Sequence, residues 1–329
     1  SPFKDIDLEH ELCLLQTEEE KLKAKKFILQ YRKVFSLNDD DPGRANTKGV
    51  EIKLKPGEDK PACQPVRGST PIMRGIMKKA IDKMLEFKII ERSQSPWGAN
   101  VMLIPKKDKG SYRFVVDLRL LNAKTVGMSY PMVRITDALS ALSNKTIFSV
   151  VDANQGFFQI PMGEKTKELT AFRCHMGSFH FLKMPMGLKN SGPIFQEFMD
   201  KTLGDLKWEC AIIYVDDCII FSNSLEEHFE HLGKVFDQMI KNGIHLKAKK
   251  SELFRSQVSF LGHIVSRKGV SPHPDKIKAI RTMQPKTKKQ VQTWLGMAGY
   301  YRKFVRNFAN HTSELRAIIN DKGKIPNTG

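Results

Sequence analysis

Residues 211–223, AIIYVDDCIIFSN, constrain this chain more than any other stretch of its sequence. The apolar runs around the two acids read as buried strands, joined by a tight turn at or near Val215-Asp216. Adjacent carboxylates in such a place repel one another and lose hydration, and burying them unpaired costs on the order of several kcal/mol. A positive partner is therefore expected. A paired Asp in a hairpin turn is more often plain turn chemistry, but flanks as apolar as AIIY and CIIF weigh against that reading. A further apolar strand, FSVVD, ends on Asp152. Two buried strands with acids at their ends can place Asp152, Asp216 and Asp217 on one sheet edge. Such oxygen clusters suit Mg²⁺, which takes one or two carboxylates and keeps water and substrate phosphates as further ligands. Two ions about 3.5–4 Å apart activate an attacking hydroxyl and stabilise a leaving pyrophosphate.

Charge points the same way. Against 36 Asp+Glu stand 54 Lys+Arg, a net +18 with a pI near 9.6. An excess of this size marks a polyanion partner, because cations that neutralise phosphates release condensed counterions; the blander reading is solubility alone. The 329 residues suffice for two to three domains or for one large enzyme with subdomains. Cys13, Cys63, Cys174, Cys210 and Cys218 are scattered, odd in number and form no CxxC pair. That argues against a zinc site or a disulfide framework and suits a reducing, intracellular compartment. No membrane span or signal peptide is expected. A first residue Ser1 suggests a processed or trimmed piece of a longer chain.

Along the chain, residues 7–35 read as a helix and EIKLK (residues 51–55) as a short strand. Ser69-Thr70-Pro71 starts a helix running to about Phe87, with Met73, Met77, Ile81 and Met84 on its core stripe. VMLIP and SYRFVVDLR are strands joined by the basic turn KKDKG. In the second, Arg113, Val115, Asp117 and Arg119 share a charged face. FRCHMGSFHFLKMP is a hairpin around Met176-Gly177, and NSGPIFQEFMDKTL a helix capped by Asn190 or Ser191. SLEEHFEHLGKVFDQMIKNG is an amphipathic helix with Ser224 as cap, Glu227 closing a capping box and Gly243 at the C-terminal end. VSFLGHIVSRKGV reads as a hairpin, followed by two helices, PDKIKAIRTM and KKQVQTWLGMAGYYRKFVRNF.

Seven segments carry a resemblance, in this order: SQSPWGANVMLIPKK, YRFVVDLRLLNAKT, FSVVDANQGFFQIPM, FRCHMGSFHFLKMPMGLKNSGPIFQ, IIYVDDCIIFS, FLGHIVS and VQTWLGMAGYYRKFV. They resemble the reverse transcriptase of gypsy-type LTR retrotransposons and, more distantly, those of retroviruses and caulimoviruses. The resemblance covers about residues 48–315 and leaves residues 1–47 largely outside. It implies an α+β right hand: fingers (48–126 with 160–190), palm (127–159 and 191–267, an antiparallel sheet backed by helices) and a helical thumb (268–329). Residues 1–47 would be a helical extension.

The resemblance also implies roles. Asp152, Asp216 and Asp217 match the catalytic, metal-binding aspartates, the first two holding both Mg²⁺ ions (Mn²⁺ is an alternative). Lys106 and Arg113 match the residues that clamp the triphosphate of a dNTP, Phe157 the aromatic that excludes a ribose 2′-hydroxyl, and Met186 a residue beside the incoming nucleotide. For nucleic acid, Arg119 matches a template contact, with pairing to Asp117 as its alternative. Gly187 and Lys189 match the loop beneath the new base pair, and Leu261, Gly262 and His263 the grip on the primer end. Gln292, Gly296 and Tyr300, spaced i, i+4, i+8, match a stripe for the minor groove; a helix–helix contact through the glycine is the alternative. Lys250, beside Lys247 and Lys249, falls where the family has a lysine that protonates pyrophosphate.

The implied activity is RNA-directed and DNA-directed DNA synthesis, copying retroelement RNA. Partners are an RNA or DNA template with primer, dNTPs and, in some relatives, a second copy of the chain. The setting is the cytoplasm or retroelement particles. Ribonuclease H would be separate or downstream, since no such domain is expected among these residues. Two alternatives stand beside this one. A palm polymerase that makes RNA is opposed by Phe157, and a domesticated, non-catalytic nucleic-acid binder by the intact aspartates.

Overall fold

The computed structural model describes residues 5–106 and 110–320. Its centre is a four-stranded antiparallel sheet in the order β7 (Ala211–Tyr214), β8 (Asp217–Ser222), β4 (Ile147–Asp152), β9 (Glu252–Arg255). The period-2 alternation of a strand explains why these strands are apolar throughout. Ile213 and Ile220 join a core with Phe195, Met199, Leu232 and Phe236, which come from α5 (Ser191–Leu203) and α7 (Leu225–Lys241). Phe148, Ile212, Ile219 and Phe221 face the other way. There they meet α4 (Ile135–Ala141) and a three-stranded sheet of β10 (Gln257–Phe260), β11 (His263–Ser266) and β12 (Gly269–Pro272). With both faces covered, only the sheet's ends remain for function.

A second sheet has five strands, in the order β1 (Ile90–Arg92), β6 (Gly177–Phe181), β5 (Phe172–Cys174), β2 (Ala99–Pro105), β3 (Tyr112–Val116). α2 (Pro71–Glu86) packs on it, started by Thr70 accepting from Met73 N–H at 3.3 Å and by Pro71 in the first turn. α3 (Arg119–Lys124) follows β3, and the single turn α6 (Leu206–Glu209) leads into β7. The C-terminal helices are α8 (Pro274–Thr282), α9 (Lys288–Tyr300), α10 (Phe308–His311) and α11 (Ser313–Asn320).

Several elements differ from the expectations. The N-terminal helix is α1 (Glu18–Gln30) alone, capped by Thr17 and Glu20 in a capping box. Residues 7–16 are instead threaded along β9, where Leu14 N–H donates to Phe254 O and Arg255 Nη2 to Asp7 O. This segment is no loose extension: Ile6, Leu8, Leu15, Ile28 and Phe35 are all core residues. Residues 51–55 make only the isolated bridge Leu54–Thr125, because their polar alternation buries too little to hold a strand. Met73 is exposed, while Met77, Ile81 and Met84 are buried. Glu227 accepts from Asn223 N–H at 2.7 Å, alongside the Ser224 cap. The expected hairpin at VSFLGHIVSRKGV is two hairpins sharing β11. The turn KKDKG lies partly outside the described residues, as does the end of the chain.

α1 and α7 meet through aromatic rings: Phe236 lies 6.1 Å from Phe27 and 5.7 Å from both Tyr31 and Phe35, centroid to centroid. Phe236 is fully buried. Truncation there leaves a cavity that rigid neighbours cannot fill, so Phe236→Ala should lower unfolding free energy by about 3–5 kcal/mol. Urea denaturation followed by tryptophan fluorescence measures it; a loss under about 1 kcal/mol would show that α1 is a dispensable appendage.

Candidate active site

Antiparallel register sets Asp152 of β4 directly opposite Asp217 of β8, and Tyr214 of β7 opposite the same Asp217. The connection is the two-residue turn Val215-Asp216. Val215 sits at φ +55°, a region that costs a β-branched residue roughly 1–2 kcal/mol. Gln196 holds it there. Fully buried on α5, Gln196 accepts from Val215 N–H at 2.7 Å and donates through Nε2 to Ile213 O at 3.1 Å. Its Nε2 also donates to Asp200 Oδ1 at 2.9 Å. Asp200 accepts in turn from the Tyr130 hydroxyl at 2.9 Å and from Lys207 Nζ at 2.6 Å. Burial and then the Asp200 carboxylate push the Tyr130 hydroxyl up to about 12, so it remains a donor at neutral pH. The strained turn is thus fixed on both sides by one amide, itself oriented from behind.

Asp216 Oδ1 is buried and has no hydrogen-bond partner. Burial, then the charges of Asp152 and Asp217, push the Asp216 carboxyl from 3.8 up to about 6, with Lys250 opposing. Asp217 shifts upward as well, through burial first and Asp152 second. Lys250 Nζ stands 2.9 Å from Asp152 Oδ2. Gly156 makes room for this arrangement: a Cβ there would lie 2.9 Å from both Asp216 Oδ1 and Phe195 Cζ. An unpartnered, buried carboxylate oxygen beside two further acids fits a divalent cation. Among the described residues no three His, Cys, Asp or Glu side chains form a ready-made ion cage. Carboxylate oxygens suit a hard ion that completes its shell with water and phosphate oxygens.

A cleft of about 360 Å³ has Lys106, Arg113, Gln155, Phe158 and Met186 among its walls, and Gln155 adjoins the Gly156 against which Asp216 Oδ1 lies. Three residues expected at a nucleotide thus come together, and Met186 is half exposed there. Phe157 does not line this cleft; it is partly buried, with its ring 5.4 Å from that of Phe195. A larger cavity, about 770 Å³, lies apart among Phe35, Leu37, Ile240 and His245 and contains none of the expected groups.

The other expected residues fall into three groups. Arg119 is exposed and forms a bidentate pair with buried Asp117, at 2.8 and 2.7 Å, which holds the Asp117 carboxyl at about 2. The pair does not lie on a strand face, because β3 ends at Val116 and Arg119 opens α3. The 187–189 loop is stitched to α3 by Asn122, which donates to Gly187 O and accepts from Lys189 N–H, both at 2.7 Å. Lys189 Nζ donates to Thr125 O at 3.0 Å. Leu261 and Gly262, at φ +48° and +71°, form the turn between β10 and β11. Tyr300 OH donates to Leu261 O and Tyr301 OH to Gly262 O, each at 2.7 Å, and the His263 ring packs against both tyrosines. The turn and the end of α9 are one assembly.

On α9, Gln292, Gly296 and Tyr300 are exposed, and a Cβ at Gly296 would meet nothing within 4 Å. The alternative of a helix–helix contact through this glycine therefore fails. Trp294 points elsewhere and donates to Ile280 O at 3.1 Å, joining α9 to α8. Gln196, Asn122 and Gly156 were not singled out from sequence. Gln196 left a signal, a polar residue beside Phe195 on the buried side of its helix, where an amide must find partners.

Comparison with known proteins follows the same outline. Residues 104–265 match the family described as reverse transcriptase (RNA-dependent DNA polymerase). The chain is 37% identical over 242 residues to the retrovirus-related Pol polyprotein from transposon opus of Drosophila melanogaster, covering 72% of this chain and 24% of that protein. It is 30% identical over 295 residues to the corresponding polyprotein from transposon gypsy, covering 88% and 28%. With the enzymatic polyprotein of Cauliflower mosaic virus (strain Strasbourg) it shares 30% over 327 residues, 94% of this chain and 48% of that one. The chain thus spans half or less of the length of these curated relatives. In fold it is similar to the foamy viral protease–reverse transcriptase, at a TM-score of 0.86 with 23% identity for a form in complex with dsDNA, covering 95% of this chain and 55% of that one. For the complex with RNA/DNA hybrid the TM-score is 0.82, covering 95% and 42%.

Burial of the acids gives a pH signature without metal. A carboxyl whose folded value is raised binds its proton more tightly when folded. Its contribution to stability is present below about pH 4 and lost as pH rises through about 6 for Asp216. In chelator, Asp216→Asn should therefore be more stable than wild type at pH 7, by on the order of 1–3 kcal/mol, with the difference shrinking toward pH 4. Urea titrations from pH 4 to 8 measure it. A difference that stays constant across that range would mean that Asp216 is not desolvated.

Proposed function

This chain belongs to the reverse transcriptase family, among the gypsy-type LTR retrotransposons, and from that premise we propose that it is an RNA- and DNA-directed DNA polymerase. It extends a primer 3′-hydroxyl with dNTPs on an RNA or DNA template. The observation that carries this reading is Asp152 paired with Asp217 beside the unpartnered Asp216 Oδ1, joined through Gln155 to a cleft with Lys106 and Arg113 on its walls. The family depends on divalent metal; here we propose two Mg²⁺, with Mn²⁺ as substitute. When bound, the ions activate the hydroxyl and neutralise developing phosphate charge. Asp152 and Asp216 hold them, and Asp217 shapes the local field.

The other roles follow from position and chemistry. Lys106 and Arg113 clamp the triphosphate, the planar guanidinium suiting its oxygens, while Met186 borders the nucleotide. The primer hydroxyl attacks the α-phosphate and pyrophosphate leaves. Phe157, next to Gly156, excludes a 2′-hydroxyl by steric clash. Gly187, Lys189 and Arg119 meet the template side, Leu261, Gly262 and His263 hold the primer end, and Gln292, Gly296 and Tyr300 line the minor groove. We propose the domain limits expected from sequence for fingers, palm and thumb, with residues 1–47 as an extension whose described part, from residue 5, packs on β9 and α7 and reaches α2 through Asp40. No helix among the described residues is long and apolar enough to cross a membrane. We place the activity in the cytoplasm or in retroelement particles, a setting that the free cysteines suit.

Primer extension on an RNA template, with dNTPs compared against rNTPs, tests the proposal. Wild type should incorporate dNTPs only, and Asp216→Asn should lose synthesis while still binding duplex, since the amide keeps the shape and removes the charge. Synthesis by that variant at even about a tenth of the wild-type rate would sink the metal-site assignment. Phe157→Val should lower the dNTP-to-rNTP preference by relieving a clash; an unchanged ratio would make Phe157 a core residue and move the gate elsewhere.

A further inference from the structure

We propose that residues 36–44, SLNDDDPGR, are a strap that sets the position of the turn after Asp152 and hence the spacing of the metal-binding carboxylates, an inference that rests on the polymerase reading above. The strap has a fixed shape of its own. Asp40 N–H donates to Asn38 Oδ1 at 2.9 Å and Gly43 N–H to Asp41 Oδ1 at 2.8 Å. The Ser36 hydroxyl lies 2.6 Å from Asn38 O and 3.1 Å from Asp41 O. Both ends are docked, with Ser36 N–H on Leu246 O at 2.9 Å and Ala45 N–H on Gln159 O at 2.7 Å. Gly43, at φ +75°, passes so close to the His245 ring that any Cβ there would overlap it.

What the strap grips is the stretch between two parts of the site. Gln155 Nε2 donates to Asp39 O and fully buried Asn154 donates through Nδ2 to Asp41 O, each at 2.8 Å. Gln155 is itself held at φ +51°, an uncommon conformation for a residue other than glycine. Asp152 stands two residues before Asn154; immediately after Gln155 stands Gly156, against which Asp216 Oδ1 lies. A strap that moves this turn moves the Asp152 end relative to the Asp216 cradle.

Its carboxylates tie it to two separate walls. Asp39 Oδ2 is 3.0 Å from Lys247 Nζ, while the backbone N–H of the same Lys247 donates to Asp152 O at 2.9 Å. Asp40 Oδ2 is 2.6 Å from Lys83 Nζ on α2, and both side chains border the cleft that holds Lys106 and Arg113. Exposed ion pairs of this kind contribute little to stability. Their value lies in geometry, because groups that hold a metal must stay within about 0.5 Å of the productive arrangement. Asp39 and Asp40 are accordingly positioning residues, acting through Lys247, Lys83 and the turn.

The test uses the full chain and two variants that cut the brace at different points. Asp39→Ala removes a carboxylate that does not border the cleft, and Gln155→Ala removes the donor to the strap. Each should lower kcat about 5- to 10-fold, with nucleotide affinity on a chain-terminated primer changed by less than about threefold. Calorimetric titration of Mn²⁺ into the free protein should show affinity weakened at least about threefold, as for loss of an outer support of a metal site. Tm should stay within about 2 °C of wild type. Because both changes cut one brace, the double variant should be no more than about twofold worse than the worse single. Wild-type kcat and Mn²⁺ affinity in Asp39→Ala would overturn the strap. So would a fall in kcat that follows a fall in Tm at unchanged Mn²⁺ affinity. An inactive wild type would instead overturn the polymerase reading, and the strap with it.

Discussion

The antiparallel register between β4 and β8 is the constraint on which the site depends. A slip of one residue would turn Asp217 away from Asp152 and send the alternating isoleucines to the wrong faces. Burial on both faces makes such a slip costly, because Ile219 and Ile220 belong to two different cores. The cores therefore define where the acids end, and the end of the sheet is where they must meet solvent and ligand. Gln196 then fixes what the cores cannot, the conformation of a turn that Val215 would not adopt unaided.

This arrangement stores instability at the point of use. Three carboxylates are brought together against their mutual repulsion, and one oxygen is left buried without a partner. The surrounding fold offsets the strain with apolar burial on both sides of the sheet and with the buried amide of Gln196. A divalent ion relieves the same strain when it binds, so affinity for the ion and poor stability without it have one cause.

Much of this was legible in the sequence. The four long apolar or amphipathic patterns predicted their elements well, since periodicity reports burial directly: the runs around Asp152 and Asp216-Asp217, the helix begun by Thr70-Pro71 and the helix capped by Ser224. Misreadings came where local pattern and tertiary contact disagree. Leu8, Leu12 and Leu15 look helical by spacing, yet the backbone there is claimed by Phe254, Arg255 and Ser256, far along the chain. Arg119 seemed to continue a strand that Asp117 ends by capturing its guanidinium. The strap was illegible for another reason: its grip on the 154–155 turn uses the carbonyls of Asp39 and Asp41, and a carbonyl has no residue type.

The threading of residues 7–16 along β9 sets a timetable for synthesis. Asp7 is bound by Arg255, 248 positions later, and Leu12 by Ser256, 244 positions later. At roughly 5–20 residues per second, the ribosome delivers the partner strand about 12–50 s after the segment it must hold. Through that interval Ile6, Leu8 and Leu15 have no core to enter, although the finished protein buries all three. Residues 7–16 are thus among the last parts to settle, and a nascent chain exposes this apolar segment to chaperones, or to other copies of itself, until β9 emerges.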